Sequence, residues 1–284
     1  MPRSIDHLVF ALKDLQKGKQ FFTQLGFTSA PLGIHPFGTG NHNVFFDQSF
    51  IELLGILDEN KIVPHQPEQF SFSAFNQNFL QEKEGVSMIV IQTKDAKADY
   101  HRLTAAGLSC STPFHFSRGN QLADGSIVEV GFTTSFFQSD LLPKLAFFVC
   151  QHHHPEYIWQ TAYQQHENSS CTIESIHLVV DFPKKILPFM QLVFDSDSVE
   201  KTASGFQLYT KNESINIISN DHYKQTNHSS ERVRIPFIST IKIKVKNLEK
   251  SKDIFVQSKI IFQEKRQSLF IDSSNAFGVN LEFV

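Results

Sequence analysis

The 284-residue sequence has little sulfur and almost no indole: three cysteines, three methionines and one tryptophan. Cys110, Cys150 and Cys171 are scattered and show no CxxC spacing. That argues against a disulfide framework and against a structural zinc site. The three read as small buried or half-buried apolar residues, and nothing marks Cys150 as an activated thiol. An excess of one charge is also missing. Twenty-six basic residues stand against 29 acidic ones for a formal net charge of -3, with no long block of either sign. Neither nucleic acid nor an anionic membrane is therefore expected as a partner. No apolar run reaches the roughly 18 residues that a spanning helix needs. The start, MPRSIDHLVF, lacks the long apolar stretch and small-residue cleavage site of a signal peptide, so the expected location is cytoplasmic. No phosphate-binding loop, dinucleotide fingerprint or GxSxG elbow is present.

What is abundant is phenylalanine, 29 residues of it, much of it in strand-like runs such as 43–46 and 145–150. A phenylalanine-rich core and a phenylalanine-lined pocket both account for this. The second feature is a repeat. In 5–27, a β-rich run (5–12) precedes Asp14 as helix N-cap, apolar Leu15, Phe22 and Leu25, and Gly26 as a left-handed stop. The pattern returns at 86–108 with Asp95 as cap and Gly107 as stop. Asp14 to Asp95 and Gly26 to Gly107 are both steps of 81 residues. A third copy starts at 173–180, with Pro183 suited to a first helical turn and Pro188 predicting a short or kinked helix. A fourth starts at 241–245, with Asn247 as cap. Further strand-like runs follow each copy, so the unit is β-α-β-β-β, repeated about four times.

One such unit leaves a curved mixed sheet uncovered, and pairing two units closes a bowl. The expected class is thus α+β, with one paired unit over residues 1–165 and a second over 170–284. The polar stretch 164–170 is the expected linker, 221–231 a loop, and 58–84 a long connector pinned by Phe70, Phe72, Phe75 and Phe79.

The matching pieces DHLVFALKDL (6–15), HPFGTGN (35–41), FIELLGI (50–56), Arg118 ahead of Asp124-Gly125, and LAFFVCQHHHP (145–155) resemble the vicinal-oxygen-chelate superfamily. That superfamily includes glyoxalase I, extradiol dioxygenases and bleomycin-resistance proteins. Within it, the first half is similar to glyoxalase-like domain proteins. Residues 170–284 match only the general module pattern. The resemblance implies a divalent metal (Mn, Fe, Zn, Ni or Mg) held by side chains of first and last strands and chelating two adjacent oxygens of a substrate.

His7 matches the first-strand ligand and Glu52 the last-strand ligand, and their parity points both into one bowl. They are expected to be metal ligands, or else an acid–base pair or polar floor. By the offset of 81, Met88 and a position near Phe147 stand where module two would supply ligands, and neither is a good one. The further ligands considered are His35, His42, His115, Gln151, His152 or water, with His115 or His152 the ones favoured. The loop residues His35, Gly38, Thr39 and Asn41 are expected to contact substrate, and Arg118 to hold an anionic group. Of His152, His153 and His154, at most one or two can face the site. His177 and Glu282 are the corresponding candidates of the second unit, expected to be degenerate, with Thr240 where module four would match His7. The expected function is a metal-dependent enzyme of lyase, isomerase or dioxygenase type acting on a small oxygenated, anionic molecule. The alternative is a non-catalytic binder of the bleomycin-resistance type. A homodimer is the candidate assembly.

Overall fold

The computed structural model of the chain describes residues 1–66, 69–227 and 236–284. The first module runs β1 (Ile5–Ala11), α1 (Leu15–Gln24), β2 (Gly33–Ile34), β3 (Thr39–Phe45) and β4 (Phe50–Ile56). After α2 (Phe72–Glu82), the second runs β5 (Gly85–Thr93), α3 (Ala96–Ala105), β6 (Phe114–Gln121), β7 (Ile127–Phe137) and β8 (Ala146–His152). Beyond α4 (Pro155–Ile158), the third runs β9 (Ser170–Val180), α5 (Pro183–Phe194), β10 (Val199–Lys201), β11 (Gly205–Tyr209) and β12 (Ser214–Ser219). After α6 (Asn220–Asn227), the fourth runs β13 (Phe237–Val245), α7 (Leu248–Gln257), β14 (Gln263–Lys265), β15 (Ser268–Ile271) and β16 (Asn280–Phe283). Four βαβββ modules are present, as the repeat implied.

The helix boundaries follow from capping chemistry. Asp14 accepts from the amide of Lys17, Asp95 from those of Lys97 and Ala98, and Asn247 from that of Lys250. Gly26 and Gly107 leave their helices at φ +82 and +90.

The modules pair into two eight-stranded mixed sheets of the same pattern, β2-β3-β4-β1-β5-β8-β7-β6 and β10-β11-β12-β9-β13-β16-β15-β14. Alternation divides each strand between two faces. On β4, Ile51 and Leu53 join the large core that also takes in helix-facing residues of the second sheet. Phe50 and Leu54 join a separate aromatic cluster on the concave face. The first sheet curls until its edge strands β2 and β6 come side by side, which makes the bowl nearly a barrel. The second unit packs against the first through apolar contacts such as Phe147 with Phe189, ring centroids 5.1 Å apart.

Two connections and one helix differ from the sequence expectation. The connector 58–84 contains a helix, α2, started by Ser71 accepting from the Ala74 amide. Its phenylalanines are split: Phe70, Phe72 and Phe75 pack on the bowl cluster, while Phe79 packs with Ala11 and Leu80. The segment 221–231 is helical through Asn227 as α6, and its remainder lies outside the described residues. Helix α5 continues for 12 residues through Pro188. The missing amide costs one hydrogen bond, and burial of Ile186, Met190, Val193 and Phe194 outweighs it.

Candidate functional site

The floor of the first bowl is built at the centre of the sheet, where β4 runs parallel to β1 and β1 antiparallel to β5. His7 lies beside Phe50, and Glu52 beside Val9, so both side chains rise from the concave face. A β-bulge adds to this. Ile5 pairs with Ile91 and His7 with Val90, so Asp6 is one residue extra on β1. Strict alternation would turn Asp6 away from His7. The bulge brings Asp6 onto the His7 ring behind the floor of the bowl, and nothing in the sequence alone signalled it.

These residues form one buried network. Asp6 Oδ1 lies 2.6 Å from His7 Nδ1 and 3.1 Å from His152 Nε2. His7 Nε2 lies 3.5 Å from Glu52 Oε2. Asn41 Nδ2 donates to Glu52 Oε1 at 2.5 Å, and His35 Nε2 lies 3.7 Å from the same oxygen. His35 Nδ1 is held by Thr39 Oγ1 at 2.8 Å. The His7 ring stacks on Phe50, centroids 4.3 Å apart. The five residues Asp6, His7, His35, Asn41 and Glu52 are each at most 6% exposed.

The electrostatics follow from that geometry. Burial alone would lower the His7 pKa, but the hydrogen bonds and charges of Asp6 and Glu52 carry it up to about 9. Burial acts to raise Asp6. The charge and hydrogen bond of His152, then those of His7, hold it well below the usual carboxylate range. Glu52 is likewise lowered against its burial, by His7, His35 and Asn41. His35 drops to about 4, chiefly through burial, and is neutral at pH 7. Groups perturbed in opposite directions and gathered in one cleft make this the candidate functional site.

Above the floor is a cavity of about 330 Å³. Nine phenylalanines line it, among them Phe37, Phe50, Phe72, Phe116, Phe132 and Phe148. Arg118 on β6 reaches in from the opposite edge. Its Nη1 donates to Gly119 O and Asn120 Oδ1, and its Nε is buried with no partner. Gly33 on β2 makes room for it, since a Cβ there would sit 3.0 Å from the guanidinium carbon.

Of the residues expected from sequence, His7, His35, Asn41, Glu52, Arg118 and His152 all line this cavity. Gly38 and Thr39 do not. Thr39 acts on His35, and Gly38, at φ +87, presents its carbonyl to the amides of Leu57 and Asp58. His115 points elsewhere: it bonds Thr133 Oγ1 and packs on His153, away from Glu52. The module-two counterpart of Glu52 needs correction by one residue. Val90 pairs with Phe148, and Phe148 faces the bowl while Phe147 faces the helical core. A one-residue slip in a strand changes the face. Asn43, Thr134 and Cys150 line the bowl, and Asp6 lies buried against the lining residues His7 and His152; sequence reading missed all four, the first three because polar residues on alternating strands carry no mark of which face is enclosed. In the second unit, His177 pairs with Thr240 and Asn216, and Glu282 accepts from Ser268.

Do these residues fit a divalent metal? The 3.5 Å between His7 Nε2 and Glu52 Oε2 is the separation of two ligands on one ion. Both histidines are held at Nδ1, His7 by a carboxylate and His35 by a hydroxyl, as metal-ligating histidines usually are. Both present Nε2 towards Glu52. This N/O set fits the group. The opposite wall, Met88 and Phe148, offers no ligand.

A family model described as a glyoxalase-like domain matches residues 5–206. No curated protein matches. Among solved structures, a hypothetical protein from Staphylococcus aureus superposes with TM-score 0.69 at 16% identity, covering 100% of this chain and 99% of its own. A mutant 4-hydroxymandelate synthase from Streptomyces coelicolor gives TM-score 0.60 at 9% identity, over 99% and 92%. The 2,3-dioxygenase LapB from Pseudomonas sp. KL28 gives 0.57 at 10%, over 98% and 90%.

Proposed function

The chain belongs to the glyoxalase-like domain family of the vicinal-oxygen-chelate superfamily, and on that premise we propose that its first bowl is the site of a metal-dependent enzyme for a small oxygenated, anionic molecule. The reaction would be of lyase, isomerase or dioxygenase type. One observation carries this reading: a charged, hydrogen-bonded set, Asp6, His7 and Glu52, buried at the floor of a phenylalanine-walled cavity. Burying charge is expensive even when it is paired. A cavity that only sheltered an apolar molecule would be more stable with an apolar floor.

His7 and Glu52 would hold the cation (Mn, Fe, Zn, Ni or Mg), with His35 Nε2, which faces Asn41 Nδ2 at 3.3 Å, beside them. The cation, when bound, supplies Lewis-acid stabilisation of a developing oxyanion or enolate. Asp6 keeps the His7 ring in place through Nδ1. Asn41 fixes the Glu52 carboxylate. The phenylalanines exclude water, which strengthens each charge interaction inside. Arg118 would pair with the anionic end of the substrate. With a divalent cation in place of the His7 proton, the cation, Asp6, Glu52 and Arg118 together carry one positive charge, the complement of a monoanion.

Metal analysis of protein purified without chelator tests this. About one Mn2+ or similarly hard cation per chain is expected at His7 and Glu52 in the wild type, and E52Q is expected to lose it. Metal absent from both, with no rise in melting temperature on adding Mn2+ or Zn2+, contradicts the proposal. That outcome favours a non-catalytic binder, a reading supported by the way both ring nitrogens of His7 already face carboxylates.

A further inference from the structure

The proposed function gives no ligand role to Cys150 or His152, yet both line the cavity. They are two residues apart on β8, so their side chains leave the same face. Donor atoms of Asp6, Cys150 and His152 all lie within 4.8 Å of one another. Asp6 is fully buried. Its Oδ1 is engaged twice, by His7 and by His152, but its Oδ2 is buried with no partner, and so is His152 Nδ1. A buried polar atom left unsatisfied costs about 1–3 kcal/mol, and more on a charged group. An unsatisfied oxygen on a fully buried carboxylate, with a thiol and an imidazole in reach, calls for something to satisfy it.

We propose that Asp6, Cys150 and His152 form a second cation site, separate from His7 and Glu52, for a borderline or thiophilic divalent ion of the Zn2+ or Co2+ type. A thiolate, an imidazole and a carboxylate make the mixed S/N/O set that such ions favour, whereas harder cations favour the N/O set of His7 and Glu52. Three protein ligands leave a coordination position free, and Cys150 and His152 border the cavity from which it could be filled. Binding breaks the Cys150 S–H bond, forms a sulfur–metal bond and releases the proton to buffer. Asp6 would serve both sites, Oδ1 on the His7 ring and Oδ2 on the ion.

Titrating the full chain with Co2+ and reading the near-ultraviolet sulfur-to-cobalt charge-transfer absorption tests this. The wild type and E52Q are expected to develop the band, C110S to keep it and C150S to lose it. H152A should weaken Co2+ binding about tenfold or more. The same result can be read without a variant, since Co2+ should protect the Cys150 peptide of the wild type from alkylation. A wild type without the band, a band that survives in C150S, or alkylation of Cys150 unchanged by Co2+ overturns the second site. If Mn2+ binds and is lost in E52Q while no band forms, this proposal falls and the His7–Glu52 reading stands. If the band forms and Mn2+ does not bind, the reverse holds.

Discussion

His7 shows how a single residue's surroundings set its chemistry. An isolated strand histidine would lose its proton on burial. Here Asp6 at 2.6 Å and Glu52 at 3.5 Å more than reverse that effect and raise the pKa to about 9. Because the folded value lies above the ordinary 6.5, the resulting stabilisation is complete below pH 6.5 and disappears as pH rises through 9. D6N should lower the His7 pKa by about 1–2 units, read from its imidazole resonances. Its melting temperature should also lack the decline expected of the wild type over that pH range. An unchanged His7 titration in D6N would mean Asp6 is not its partner. At this scale the sequence was partly legible. The parity of His7 and Glu52 in their strand runs located the floor. Asp6 stayed hidden, because period-2 alternation turns it outward and only the bulge brings it back.

The loop between β2 and β3 and the strands beside it work as one element. Gly38 is left-handed at φ +87, and a Cβ there would lie 2.4 Å from the carbonyl oxygen of Asp58. G38A is expected to cost about 1–3 kcal/mol in denaturant unfolding and to loosen the Thr39–His35 contact. A value below about 0.5 kcal/mol, the usual effect of a neutral surface change, would show that the loop tolerates the change. At Gly33 a Cβ would meet Asn41 Oδ1 at 2.4 Å as well as Arg118. G33A should therefore weaken binding of any ligand in the cavity, measured by calorimetry, more than it lowers stability. Helices with capping residues and glycine stops were legible here, as were strands of four or more residues. The two- and three-residue strands β2, β10 and β14 were not, since so short a run has no periodicity of its own. Their pairing is dictated by the neighbouring strand. Helix α2 was obscured because Phe70 to Phe79 reads equally as a packed connector.

At the scale of the whole molecule, the second unit braces the first. The turn before β12 carries Glu213, whose Oε2 accepts from the Ile5 amide at 3.2 Å, just ahead of the bulge. Asn212 donates to Ser4, and the Lys211 amide to the Arg3 carbonyl. Burial is the main cause that raises Glu213, to about 7. Its stabilising effect is therefore complete below pH 4.5 and lost as pH rises through 7. E213Q keeps an acceptor for Ile5 but cannot ionise, so its melting temperature should fall less than that of the wild type between those pH values. Parallel pH curves for the two proteins would refute this. The repeat in the sequence announced four modules and their pairing. It could not announce that the two units share one core through their helical faces, because that contact depends on side chains such as Phe147 and Phe189, far apart in the chain.

The claim that joins these scales is that His7 and Glu52 are brought together to hold a cation in an aromatic bowl. An anomalous difference map from a crystal grown with Mn2+ and without chelator tests it most directly. One strong peak in contact with His7 Nε2 and the Glu52 carboxylate is expected, absent from crystals of E52Q. A bowl with no anomalous peak at saturating Mn2+, or a peak that persists in E52Q, would contradict it.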